Sequence, residues 1–596
     1  MRLRLLAAGM MCALALSLDA SCATGIAADP PGAAIAASPP ESAQGRFDRL
    51  VDDYFAYRFR VHPTWATETG VHDYDGQLED FSQRACEERI KSERGFLSRL
   101  EAVEPGQLSR QSRLDLLQLR TSVLGSLLEL EQIQMWKHNP DHYSSTPAAS
   151  IFSLMKRDFA PLPERMRSVI SRERQIPRML AEGRKNLVDP PAVYTDVALE
   201  QLPGIVEFFQ KAVPQAFAPV KDDQLQAELA RTNAAVVDSL RSYEKFLKED
   251  LSRRSHGSFA LGADLYRKKL LYDEMIDEPL DALLDRGYSE LRRLQQLFKD
   301  TARRIDPARD AGYVYASISA DHPRPDQLLT TISLSLEEIR HFCVSRPIVT
   351  IPSRQRVRVE ETPPFERALS FASMDTPGPL EKKATEAYYY VTLPEPGWPA
   401  KKVEEHMRQF CRADVVNTST HEAYPGHYVQ FLWIKQAPSK VRMLLGCGSN
   451  AEGWAHYCEE MVLDEGFHQA DQKLRLGQIH DALLRACRYI VGIRLHTGGM
   501  SVEEGIRFFM DEGYQERANA ERETRRGTMD PTYLVYTLGK LEILKLREDY
   551  KKARGKDFDL REFHDRFLAQ GCPPLPLVRE ALLGSSSKIS LVNPAP

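Results

Sequence analysis

The segment His421-Glu422-Ala423-Tyr424-Pro425-Gly426-His427 gathers two imidazoles and a carboxylate within seven residues. Two histidines with a glutamate directly after the first are the parts of a hydrolytic zinc site, in which the imidazoles bind the ion and the glutamate acts as general base toward water. In such sites the histidines stand four apart on one helical face, whereas here the second comes six residues after the first. At about 100° per residue, six positions on a regular helix leave the side chains about 120° apart around the axis. An unbroken helix would therefore destroy the site. Pro425 removes an amide donor and clashes with the carbonyl four residues back, that of His421, and Gly426 admits whatever dihedrals a detour needs. The helical ladder is expected to open between the histidines, through a bulge or wide turn, and to bring His427 back beside His421.

A third ligand is sought downstream. Glu452, His456 and Glu459 follow one another at i, i+4 and i+7, on one face of one helix, and Glu452 comes 25 residues after His427. This reading gives the site one Zn2+ ion held by His421, His427 and Glu452, with His456 and Glu459 behind them orienting the liganding imidazoles. Blander readings exist. Ser449 with Glu452 three residues later also forms a capping box, in which the glutamate only satisfies a helix-terminal amide, and His456 also reads as a half-buried histidine of the core. The conjunction of two histidines, an adjacent glutamate, a helix breaker and a downstream carboxylate favours the metal site.

These motifs resemble those of the bacterial domain of unknown function 885 family, H-E-x-x-P-G-H-x-x-Q followed by E-G-W-A-x-Y-x-E. The matching residues are His421, Glu422, Pro425, Gly426, His427 and Gln430, then Glu452, Gly453, Trp454, Ala455, Tyr457 and Glu459. The likeness continues through Arg488, His496, Gly499 and Ser501 to Tyr536, Gly539, Leu546 and Arg547. It departs at Gly492, where the family often has aspartate, at Met500, where tryptophan is usual, and in the placing of Tyr536 relative to Pro531. The family is similar to helical gluzincin-type zinc peptidases such as the carboxypeptidase Taq and thimet oligopeptidase groups. That resemblance implies a mainly α fold, two helical lobes around a small β-sheet with a central zinc-site cleft.

The expected chemistry is peptide-bond hydrolysis by an exported zinc metallopeptidase acting as a carboxypeptidase, dipeptidase or oligopeptidase. Glu422 takes the proton of the attacking water and passes it to the leaving nitrogen. Tyr536, with His496 behind it, is the candidate donor to the developing oxyanion; both residues also read as ordinary packed side chains. Residues 388–393 read as a strand, and Tyr388 and Tyr390 would contact an extended peptide if that strand lies at a sheet edge; a buried strand is the alternative. Arg522, Arg525 and Arg526 could clamp a substrate carboxylate, Arg526 foremost, or form a solvated helix face. Two other functional classes share the motif: a zinc amidase acting on a non-peptide amide, and a catalytically inactive periplasmic binding protein that keeps the fold. The intact Glu422 speaks against the latter.

The elements that must position these groups are read from the rest of the chain. Arg2 and Arg4 precede an apolar run ending near Leu18 and then small residues, the order of a secretory signal, read as residues 1–28. The run is too short to span a bilayer as a helix. Cys22 is a possible lipid-attachment residue, so the product is expected to be periplasmic, lipid-anchored on the periplasmic side, or secreted. Residues 29–45 are rich in Pro, Ala, Gly and Ser and read as a flexible linker. Helical periodicity dominates residues 46–330, the N-terminal helical lobe. Residues 331–400 form a β-rich segment, with strands expected at 348–351, 357–360 and 388–393. Residues 401–590 are a catalytic helical lobe. The chain of 596 residues carries 79 basic against 84 acidic groups, a balance that excludes a general attraction to nucleic acid. Beyond the signal, seven scattered cysteines do not make a disulfide framework, and Cys447 and Cys458 would be bridged only if the fold brought them together.

Overall fold

The computed structural model describes residues 42–367 and 371–584, so the signal segment, most of the linker and Cys22 lie outside the described residues. The first helix, Ala43–Val61, begins three residues before the expected start because the Ser42 side chain accepts from Gly45 N and caps it. From there to Leu575–Leu583 the chain is mainly helical, with one small sheet.

The helices form because their apolar residues recur at three- and four-residue spacing. Leu280–Ile305 buries Leu283, Gly287, Leu291, Leu294, Phe298 and Ala302 along one stripe. That stripe lies on Gln472–Thr497, a helix buried on nearly every face, as expected of the middle of a bundle. Two main cores result. One runs from Leu78 to Leu251 and takes in Phe365 and Ala384; the other runs from Leu291 to Val578. Helices before residue 330 therefore pack against elements later in the chain as well as against one another.

The sheet has three strands, β1 (Arg358–Glu361), β2 (Ala372–Asp375) and β3 (Tyr388–Val391), in the order β1-β3-β2. β3 pairs parallel with β1 and antiparallel with β2, Met374 lying opposite Tyr389. Two expectations are corrected here. Residues 348–351 are not a strand: Ile348 and Val349 are buried, but their backbone is tied to a neighbouring helix, with His564 Nδ1 donating to Ile348 O at 2.8 Å and Thr350 N to Asp565 Oδ1 at 2.8 Å. β3 is the central strand, so neither of its edges is open to an added peptide strand. The strand missing from the sequence reading is β2, whose Ala-Ser-Met-Asp gives no β-branched signal.

Among the described residues no helix is long and apolar enough to cross a membrane. The seven described cysteines are buried and free. Cys447 backs onto Cys572, whose carbonyl oxygen accepts from Cys447 N at 2.9 Å, rather than onto Cys458.

Candidate metal centre

The break between the histidines is complete. One helix, Arg412–Glu422, stops directly after His421-Glu422, and a second, His427–Ile434, starts at the other histidine. The two are separate helices meeting at a corner rather than one helix with a bulge. Gly426 allows the corner to be tight: a Cβ there would sit 1.8 Å from His421 O and 2.4 Å from Thr420 O. Pro425 O accepts from Trp454 Nε1 at 3.0 Å, so the tryptophan of the downstream motif pins the corner to the next helix.

That helix, Gly448–Asp464, carries Glu452. Its start disposes of the capping-box reading, because Ser449 is already inside the helix and the terminal amides have another acceptor. Glu274, from helix Ala263–Glu274, receives Gly448 N at 3.1 Å and Ser449 N at 2.8 Å. Glu452 is thereby released for other work. The helix crosses Val535–Arg554 at a pair of glycines: a Cβ on Gly453 would lie 2.5 Å from Gly539 Cα, and one on Gly539 1.9 Å from Ser449 O. This close crossing carries Tyr536, about one turn before Gly539, to the site.

His421 Nε2 and His427 Nε2 each lie 3.3 Å from Glu452 Oε2. The three candidate ligand atoms all fall within 4.8 Å of one another, and all three residues are buried. Bonds of about 2.0–2.1 Å in a tetrahedral zinc site place ligand atoms roughly 3.3–3.4 Å apart, so the two observed separations match edges of such a site. Among the described residues Glu452 Oε2 has no well-directed hydrogen bond to satisfy it. Burial raises its pKa, but the two facing imidazoles prevail and hold the carboxyl well below the usual range. The donor set and its geometry fit one zinc ion.

Behind the ligands stands Glu459. Its Oε1 accepts from His421 Nδ1 at 2.7 Å, and its Oε2 from His456 Nδ1 at 3.0 Å and from Asn417 Nδ2 at 3.2 Å. Arg485 pairs with the same carboxylate at 3.0 Å. Burial would raise the Glu459 pKa, yet Arg485 and His456 hold it well down, so it is an acceptor and Nδ1 is the protonated nitrogen of His421. His456 thus touches Glu459, not the imidazoles of His421 and His427. Burial opposes charge on His421, but Glu452 and Glu459 outweigh it and lift its pKa to about 9: the pocket favours a positive charge.

Glu422 is half-buried. Burial pushes its pKa up against the imidazoles of His421 and His427, and the Met374 backbone amide of β2 donates to it. Tyr389 faces Ser419 and Glu422 from β3, while Tyr388 and Tyr390, on the other side of the strand, stack on each other at 5.7 Å and meet Arg157 and Phe152. The period of two along a strand puts the middle tyrosine, not the two singled out from the sequence, toward the histidine helix.

The Tyr536 ring lies parallel to that of His421 at 6.3 Å. Its hydroxyl accepts from Arg526 Nη2 at 2.9 Å, which leaves its own proton to donate elsewhere; burial raises its pKa further despite Arg526, so it stays protonated. His496 makes its own contacts with other groups. Its Nε2 meets Gly527 O at 2.7 Å and its ring packs on Phe259 and Tyr266. Its contact is with the residue after Arg526, one step removed from the Tyr536 hydroxyl.

Asn417, Glu274, Tyr389 and Arg485 were not singled out from the sequence. Asn417 alone had a signal, lying four residues before His421 on the same helix face.

Residues 63–582 match a bacterial family described as protein of unknown function, DUF885. A solved structure from Shewanella oneidensis, described as a candidate lipoprotein of unknown function, is similar with a TM-score of 0.74 and 26% identity over 90% of this chain and 99% of that one. Another from Colwellia psychrerythraea, also described as a candidate lipoprotein, shares the fold with a TM-score of 0.78 and 18% identity over 91% and 98% of the two chains. No curated protein matches the chain.

Proposed function

The chain belongs to the bacterial DUF885 family, and we propose that it is a zinc-dependent metallopeptidase that is exported and hydrolyses short peptides. The observation that carries this reading is the convergence of His421 Nε2 and His427 Nε2 on Glu452 Oε2, each at 3.3 Å, with Glu422 next to the first ligand. Two imidazoles and one carboxylate are a set of protein ligands found in catalytic zinc sites that keep a fourth position open. A zinc ion held there would supply Lewis acidity toward a carbonyl and lower the pKa of water.

The side chains divide the remaining work. Glu422 accepts the proton of the attacking water and returns it to the leaving nitrogen as the C–N bond breaks, giving a carboxylate and an amine. The Tyr536 hydroxyl, held by Arg526, donates to the carbonyl oxygen as charge builds on it. Glu459 fixes the tautomer of His421. The helical fold and the shape of the motif also accord with a gluzincin-like peptidase of the carboxypeptidase Taq kind, a likeness that rests on the motif.

Purified full-length protein is expected to bind about one zinc per chain and to cleave members of a peptide library read by mass spectrometry. Glu422→Gln should keep the metal and lose roughly 10²–10⁴-fold in turnover. Absence of bound zinc at saturating metal, or an unchanged rate in the variant, sinks the proposal. Export is supported by the signal-like first 28 residues and by the lipoprotein descriptions of both structural neighbours. Cell fractionation and the mass of the mature N-terminus decide between a free periplasmic protein and one acylated at Cys22.

A further inference from the structure

The three arginines singled out from the sequence part company in the structure. They lie on the helix Arg517–Met529. Arg525 is exposed and pairs with Glu200 at 3.4 Å, and Arg517, at the helix start, pairs with Glu521 at 2.8 Å. Arg522 and Arg526 are half-buried and stand four residues apart, on the one face that looks inward. Arg526 reaches the Tyr536 hydroxyl at 2.9 Å, and its nearest carboxylate, Asp530, is at 3.4 Å. The Arg522 guanidinium lies 4.2 Å over the ring of Phe371, and among the described residues no carboxylate forms an ion pair with it. Arg488 also faces Tyr536, at 5.0 Å, but its charge is matched by a two-pronged pair with Glu523 at 2.6 and 2.8 Å.

Arg526 reaches the metal centre directly through Tyr536, and Arg522, one helical turn before it, is linked to the centre through Phe371. Tyr536, which Arg526 holds, is stacked on the ligand His421. Phe371, which Arg522 covers, leads into β2, whose Met374 amide meets the Glu422 carboxylate. A guanidinium stays charged in a protein, and a half-buried one without a carboxylate partner is costly unless a ligand supplies the negative charge. Its planar fork suits a carboxylate held through two hydrogen bonds.

On the hydrolytic reading of the metal centre, we propose that Arg522 and Arg526 recognise the free C-terminal carboxylate of the peptide substrate, so that the protein releases residues from C-terminal ends. Water adds across the C–N bond, and the amine-bearing product is the one that keeps the carboxylate at the two arginines.

The test compares peptides of one sequence with a free acid or an amide at the C-terminus. The zinc-loaded full-length protein is expected to cleave the acid with kcat/KM about 10- to 100-fold above the amide, mainly through KM. Calorimetric binding to Glu422→Gln protein should show the same preference without turnover. Adding Arg522→Ala should bring the binding ratio close to one, and Arg522→Lys should restore part of it, with zinc content unchanged. Equal binding of acid and amide to the Glu422→Gln protein, or a ratio that Arg522→Ala leaves intact, overturns the inference. Preferential binding of the acid with no cleavage of either peptide by the zinc-loaded protein upholds carboxylate recognition and instead sinks the peptidase reading.

Discussion

Glu459 grips His421 by its Nδ1 edge at 2.7 Å, which turns Nε2 of that imidazole toward Glu452. The same carboxylate collects Asn417, His456 and Arg485, so its charge and both its oxygens are in use. Glu459→Gln keeps the shape, loses the charge opposite Arg485 and replaces one acceptor by a donor. We expect zinc affinity to fall about 10- to 100-fold, read by competition with a chromophoric chelator. An affinity equal to the parent protein's would show that His421 needs no such support.

Glu274 should matter to the metal although it touches none of the ligands. It caps Gly448 and Ser449 at the start of the helix that bears Glu452, and removing it leaves one buried and one half-buried amide without an acceptor. Glu274→Ala is expected to cost about 1–3 kcal/mol of stability and to weaken zinc binding, because the first turn of the helix is no longer fixed. Glu274→Gln, which retains one carbonyl acceptor, should fall between. Urea denaturation with and without zinc measures both effects; an alanine variant as stable as the parent removes the capping argument.

The corner between the histidine helices gives a sharper case. In Gly426→Ala the new methyl meets the carbonyl oxygens of His421 and Thr420, which are backbone atoms with nowhere to rotate. His427 is the next residue, so relief of the clash displaces a ligand. The variant should lose at least about 1–3 kcal/mol and most of its zinc. Retention of stoichiometric zinc, measured by metal analysis after gel filtration, would contradict so tight a corner.

How much of this was legible in the sequence depends on where each signal resides. The convergence of His421, His427 and Glu452 was readable because its parts are local: a histidine-glutamate pair, a breaker, and a carboxylate at helical spacing. The need for the breaker was also readable, since a six-residue offset cannot close on a regular helix. What escaped were partners supplied by distant elements, such as Glu274 under the Glu452 helix and Arg485 beside Glu459, which no spacing in their own helices announces. Strand order was equally hidden. The run Tyr388 to Val391 announces a strand, but only its pairing with β1 and β2 makes it central and turns Tyr389 inward. Gly492, where the resembling family often has aspartate, has a steric reason: a Cβ there would meet the Tyr533 ring at 2.7 Å, so the tyrosine occupies the space.

Away from the candidate metal centre, His72 should make stability depend on pH. His72 sits between two carboxylates, Nδ1 at 3.0 Å from Asp75 and Nε2 at 2.9 Å from Glu381, with its ring stacked on Phe159 at 4.0 Å. Burial disfavours its charge, but the hydrogen bonds it donates to both carboxylates lift its pKa from 6.5 to about 9. Burial likewise opposes ionisation of Glu381, while His72 and the amides of Lys383 and Ala384 lower its pKa from 4.5 to about 2. The imidazolium therefore contributes stability that is complete below pH 6.5 and disappears as pH rises through about 9. The carboxylate's contribution is complete above pH 4.5 and disappears as pH falls through about 2. Their windows overlap between 4.5 and 6.5, where the clamp tying the segment before β3 to the N-terminal helices is strongest. With the His72 side chain 31% exposed, screening by water limits its worth to the order of 1 kcal/mol. His72→Gln should lower the urea midpoint in that window and match the parent protein above about pH 9. A stability difference independent of pH across this range would mean that the ring acts through its stacking on Phe159 and not through its charge.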